Sequence, residues 1–157
     1  MRIRTLLQLT AREYGLLLAA LPFVVAVRIA LWMAPSRLTL RFLRRMGVAE
    51  GRSRPTTWAM TSSITWAVQS VSKFVPRATC LTQAIAAKLL LRRFDQDARL
   101  CLGVTHASDG TLRAHAWLEQ DGRPVLGGSG IRSMMRLPEL PDRDQYLRPS
   151  HIDRQNL

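Results

Sequence analysis

The sequence predicts an α+β fold: a helical N-terminal half, then a cysteine-bearing helix packed on a small antiparallel sheet. Three observations predict it. Apolar residues recur at helical spacing as far as Phe94. From Leu100 the period drops to two, with Leu100, Leu102 and Val104 alternating with Cys101, Gly103 and Thr105. Two turn signals, Ser108-Asp109-Gly110-Thr111 and Gln120-Asp121-Gly122-Arg123, then separate short β-type segments. Helices followed by an antiparallel meander are the α+β pattern. A chain of 157 residues is expected to be one domain with a real core. Composition divides it into a basic, apolar helical part (1–75), a mixed core (76–137) and an extended tail (138–157) carrying Pro138, Pro141 and Pro149.

The elements follow in order. Thr10 with Glu13 forms a capping-box pattern for a first helix. Pro22 suits the first turn of a second helix running to Met33. Ser36 caps a third, with Leu38, Phe42 and Met46 on one face, Arg37, Arg41, Arg44 and Arg45 around them, and Gly47 and Gly51 ending it. Pro55 begins the next pattern, with Trp58, Ile64, Val68 and Val71 near one face and Ser62, Ser63, Gln69 and Ser72 facing elsewhere, up to Pro76. Thr79 is the expected N-cap of a helix from Cys80 to Phe94. Its apolar positions are Leu81, Ala84, Ile85, Leu89 and Leu91, and Lys88, Arg92 and Arg93 come late, where the helix dipole favours cations. On the strand from Leu112 to Glu119, Arg113, His115, Trp117 and Glu119 share one face. Pro124 to Leu126 form a third strand, ended by Gly127-Gly128-Ser129-Gly130.

The net charge of +12 is uneven. Up to Thr79 there are 12 Lys+Arg against 2 Asp+Glu, and from Cys80 onward 11 against 9. Such a chain suggests nucleic acid, an anionic membrane or an acidic partner. There is no zinc-ligand spacing, P-loop or RNA-binding aromatic pattern, so nucleic acid is not expected, and neither is a metal. Two cysteines make no disulfide framework, which points to a reduced cytoplasmic protein. The most apolar run is Tyr14 to Ala34. Arg28 interrupts it after 14 uncharged residues, and Pro22 lies in its middle. It is read as two buried or interfacial helices, with a signal or anchor segment as the alternative.

The chemistry centres on Cys80 and His115, 35 residues apart. A thiol attacks as the thiolate. A helix N-terminus offers a partial positive charge and unpaired backbone N–H groups that can hold an anion. Cys80 stands where both are available. His115, packed opposite the helix start, would be the base. Cys101 alternates within a strand and reads as structural. His106 lies beside a turn and His151 in the tail, neither placed for chemistry.

The stretch from Val75 to Gly128 resembles the transglutaminase-like leader peptidases of lasso-peptide biosynthesis. The residues that carry the resemblance are Val75-Pro76, Cys80-Leu81, Gln83-Ala84, Leu89-Leu90-Leu91-Arg92-Arg93, Leu102-Gly103-Val104, His115-Ala116-Trp117-Leu118-Glu119, Asp121-Gly122-Arg123-Pro124-Val125 and Gly127-Gly128. The resemblance implies a papain- or transglutaminase-like catalytic core over 76–137 and a cysteine protease that removes the leader from a ribosomally made precursor. Cys80 would be the nucleophile and His115 the base, with no cofactor. It also implies a small leader-binding protein and an ATP-dependent lasso cyclase as partners. The basic, apolar half would dock these partners or contact the membrane peripherally.

The family often has an aspartate about twelve residues after the histidine to orient the ring. That position is Gly127 here. The alternatives for the orienter are Asp121, Glu119, a backbone carbonyl, or Asp142 or Asp144 of the tail. Trp117 and Gln83 are expected at the substrate cleft, Trp117 as a wall beside His115 or else as sheet core. An acyltransferase on the same pair, or a non-catalytic basic module that binds peptide or membrane, is the competing function.

Overall fold

The protein is described from a computed structural model, which covers residues 10–33, 57–106 and 110–137. Among these residues there are three α-helices, α1 (Ala11–Met33), α2 (Trp58–Ser72) and α3 (Cys80–Arg93). Four strands follow: β1 (Arg99–His106), β2 (Leu112–Gln120), β3 (Arg123–Leu126) and β4 (Met135–Arg136). A short 3-10 turn at Ile131–Ser133 precedes β4. The fold is α+β, and α3, which begins at Cys80, packs on β1 and β2. The expected third helix from Ser36, the loop before Pro55 and the tail from Pro138 lie outside the described residues.

Helix α1 starts as expected. The Thr10 backbone N–H donates to Glu13 Oε2 at 2.6 Å, and the Glu13 N–H donates to Thr10 Oγ1 at 3.4 Å. The expected break at Pro22 does not occur: α1 is one helix with Pro22 inside it. A proline cannot donate to the carbonyl four residues back, here that of Leu18. Both Leu18 and Pro22 lie on the exposed side of α1, where a missing backbone bond costs less than it would in the core, and the helix continues. Leu16, Ala20, Val24 and Val27 are buried along one side, against α2 and α3. Removing each such side chain from water stabilises by roughly 1.5–3 kcal/mol for the larger ones. The opposite side exposes Leu18, Leu21, Ile29 and Trp32. Among the described residues, α1 is the one helix long and apolar enough to cross a membrane. Arg28, the charge that interrupts its apolar run, donates from Nε to the Pro76 carbonyl at 3.4 Å, tying α1 to the turn ahead of Cys80.

Helix α2 buries Ile64, Val68 and Val71 as expected, but Trp58 is exposed. Ser72 faces inward rather than outward. Its buried hydroxyl donates to the Val68 carbonyl at 2.7 Å, which satisfies it without water. Lys88 of α3, grouped by sequence with the late basic residues, is buried.

The sheet order is β3-β2-β1-β4 with antiparallel pairing throughout. Strand β4 was not foreseen, because two residues carry no periodicity. It pairs Gly103 with Arg136 and Val104 with Met135. One face of the sheet, with Ala116, Leu118 and Leu126 buried and Leu100 and Leu102 packed on them, joins the helices in one core. By pleat alternation and register, the other face carries Cys101, Gly103, His115, Trp117 and Glu119. Position 103 requires glycine, since a Cβ there would lie 2.9 Å from the Trp117 ring.

Candidate active site

A tight turn delivers the chain from α2 to Cys80. Arg77 adopts a left-handed backbone (φ 58°), and the Ala78 N–H bonds the Val75 carbonyl at 3.2 Å. Thr79 is the N-cap of α3, as expected. Its Oγ1 accepts from the Thr82 N–H at 3.3 Å, and its carbonyl accepts from the Gln83 N–H at 3.0 Å. Cys80 therefore occupies the first helical position, and its amide and that of Leu81 precede the first intrahelical bond. These are donors that can hold an oxyanion. Cys80 is a free, half-buried thiol. Gln83 lies half-buried one turn on.

His115 is half-buried on β2, and its Nε2 lies 2.8 Å from the Gly127 carbonyl oxygen. A carbonyl can only accept, so Nε2 carries the hydrogen. The neutral ring then keeps its lone pair on Nδ1, the nitrogen available as a base. The carbonyl reaches the ring because β3 is followed at once by a left-handed residue, Gly127 (φ 70°). A Cβ at this position would lie 3.3 Å from Nε2 and 3.2 Å from the Ala116 carbonyl. The group that holds the ring is therefore the backbone of Gly127, the position twelve residues after His115 at which an aspartate was expected from the resemblance.

The carboxylates considered for that task are placed otherwise. Asp121 sits exposed at the β2–β3 turn with φ 50°. Glu119 is 4% exposed, and its oxygens are taken by other donors. Trp117 Nε1–H donates to Oε1 at 2.8 Å, Arg136 donates to Oε2 at 3.0 Å and also to Oε1, and the Cys101 thiol donates to Oε2 at 3.5 Å. Asp142 and Asp144 lie outside the described residues. Trp117 is fully buried, so it backs His115 rather than walling an open cleft. The two rings stack with centroids 6.2 Å apart and planes 16° from parallel. Among the described residues, no hydrogen bond joins the His115 ring to the Cys80 thiol; the ring's bond is the one to Gly127.

Electrostatics follows from burial. Desolvation, reinforced by the neighbouring Glu119 charge, pushes the Cys101 thiol up to about 11. Cys101 is thus held as a neutral thiol. Burial alone would raise the Glu119 carboxyl, but hydrogen bonds from Trp117, Arg136 and Cys101 outweigh it and leave the group below its ordinary value of 4.5. Its folded-state pKa is depressed, so its stabilisation is present above the ordinary value and lost as pH falls through the folded one. Urea midpoints measured from about pH 6 down to about pH 3 should therefore fall, and Glu119→Gln should flatten that fall. Among the described residues, no group of three or more His, Cys, Asp or Glu side chains could hold a metal ion.

Two contributors escaped sequence reasoning in detail. A backbone carbonyl was one of several options but was tied to no position, and the signal for Gly127 is the glycine pair that follows β3. Arg136 left no signal, because its strand is too short to recognise.

The transglutaminase-like superfamily domain matches residues 20–137, from the middle of α1 to the end of β4. No match was found among curated proteins or among solved structures. The matched region includes the cysteine at the helix start and the histidine on the following sheet, the order on which cysteine peptidases and acyltransferases of this fold rely. The protein belongs to the transglutaminase-like superfamily.

Proposed function

We propose that the protein is a cysteine peptidase that removes the leader from a ribosomally made lasso-peptide precursor. The observation that carries the reading is the His115–Gly127 bond, which leaves Nδ1 free to accept a proton from a helix-start cysteine. Superfamily membership and the match of Cys80-Leu81, His115-Ala116-Trp117-Leu118-Glu119 and Asp121-Gly122-Arg123-Pro124-Val125 to the leader-peptidase pattern support it.

The mechanism uses the chain's own groups. The thiol closes on Nδ1 in the substrate complex, where catalytic hydrogen bonds often first tighten. Cys80 Sγ passes its proton to Nδ1 and attacks the carbonyl carbon of the last leader residue. The oxyanion is held by amides at the start of α3. Collapse breaks the peptide bond, and Nδ1–H protonates the departing amine of the core peptide. Water then attacks the thioester, giving up a proton to Nδ1. The leader leaves with a free carboxylate and the thiol is restored. This chemistry needs no metal or organic cofactor.

In this reading the protein works in the cytoplasm with a small leader-binding protein, and an ATP-dependent cyclase uses the freed amine. The basic N-terminal half docks those partners. Alanine at Arg41, Arg44 and Arg45 together is expected to weaken partner binding and slow cleavage, and a pull-down with unchanged affinity would refute that docking surface. The exposed apolar side of α1 favours a peripheral membrane contact as well.

Alkylation offers an inexpensive first check. Iodoacetamide at neutral pH should label Cys80 well ahead of the buried Cys101, whose thiol is held neutral up to about 11. Equal, slow labelling would count against a reactive Cys80. The deciding experiment incubates the protein with precursor and leader-binding partner and reads the products by mass. Cleavage at the leader–core junction is expected. A leader joined to an added amine would mean an acyltransferase instead, and an untouched precursor together with equal, slow labelling of both cysteines would favour a binding module.

A further inference from the structure

We propose that Arg136 and Glu119 are positioning residues for His115 and act on its ring through Trp117. The inference rests on His115 being the base of the proposed reaction. Glu119 accepts the Trp117 Nε1–H at 2.8 Å and fixes one edge of the indole. The Arg136 guanidinium lies 5.5 Å from the Trp117 ring centroid, within cation–π range, while it also donates to both Glu119 oxygens. Below the ring Gly103 leaves space only for hydrogen, because a Cβ there would lie 2.9 Å from the indole and 3.2 Å from the Met135 carbonyl. Held on these sides, the indole presents a fixed surface to the His115 ring, 6.2 Å away and nearly parallel.

A tryptophan that only filled space would not require this arrangement. Its N–H could be satisfied by a neutral acceptor, whereas a buried carboxylate carries a desolvation cost that only a charged, hydrogen-bonded partner offsets. That partner stands on the edge of the sheet. Strand β4 has two residues, and beyond its ladder the Leu137 N–H bonds the Leu102 carbonyl at 2.9 Å. The Arg136 side chain is 55% exposed, so the clamp on a buried ring is set from the surface. Nε2 of His115 is anchored to Gly127 at one side, and the stack fixes the remaining rotation of the ring, which decides where Nδ1 points.

The test combines imidazole spectra with kinetics. Long-range proton–nitrogen spectra of labelled protein, assigned against His106→Gln and His151→Gln, should show His115 in one set of signals as the Nε2–H form. In Arg136→Ala these signals should shift and broaden. The kcat for leader cleavage should fall about tenfold with KM nearly unchanged, as expected when a base is misplaced and binding is not. Arg136→Lys should restore part of both. Glu119→Gln, which keeps an acceptor for the indole but loses the charge, should act in the same direction and serves if Arg136→Ala melts early. Unmoved His115 signals in both folded variants, or a change in KM alone, would overturn the proposal. The spectra read the coupling without turnover, so a wild type that fails to cleave would count against the peptidase reading alone.

Discussion

Replacing Cys80 with alanine is expected to lower leader cleavage by at least about a thousandfold, because it removes the sulfur that forms the thioester. Stability should change by less than about 1 kcal/mol, since Cys80 is half-buried at a helix start whose cap is made by Thr79. The two readouts together matter. Loss of cleavage with an unchanged melting temperature places the effect in the chemistry. Cleavage that persists in Cys80→Ala would remove Cys80 from the reaction.

The second large effect is expected at Gly127. Alanine there must adopt a left-handed backbone, at a cost of roughly 1–2 kcal/mol. It must also fit a Cβ 3.3 Å from His115 Nε2 and 3.2 Å from the Ala116 carbonyl. Either the carbonyl or the imidazole then moves, and Nδ1 moves with it. A displacement of about 1 Å in a catalytic group costs on the order of a hundredfold in rate, so kcat should fall by about 10- to 100-fold. Gly110→Ala separates backbone strain from the site: Gly110 is also left-handed (φ 79°), but nothing lies within 4 Å of its would-be Cβ. It should lose stability and keep kcat. Equal losses of kcat in the two variants would show that Gly127 acts only through the fold.

Much of this arrangement was legible in the residues. The α+β order followed from a change of period between Phe94 and Leu100. Thr10 with Glu13, and Thr79 ahead of Cys80, were readable because capping has a local chemistry that needs no tertiary information. The misreadings share a cause. Pro22 was read as a boundary because its local rule is strong, yet Pro22 and Leu18 lie on the exposed side of α1, where the missing bond is cheap. Ser72 was read outward from its type and Lys88 was grouped with the cations of the last turn, but burial is decided by the elements packed around them.

The site divides along the same line. Cys80 and His115 stood out by residue type and order. Trp117 and Glu119 were noticed on the right face, but the contacts that define them run to Arg136 and Cys101 across the sheet, from partners whose register sequence does not show. The ring orienter is a backbone carbonyl, and a carbonyl is present at every position. Only the left-handed turn at Gly127 makes this one reach Nε2.

The central claim is a thioester on Cys80 resolved by water. Its most direct measurement is the mass of the released leader after cleavage of the precursor, with the leader-binding partner present, in water enriched in oxygen-18. The new terminal carboxylate of the leader should gain one heavy oxygen atom per turnover. A leader released without the heavy atom, or joined to an amine, would contradict it.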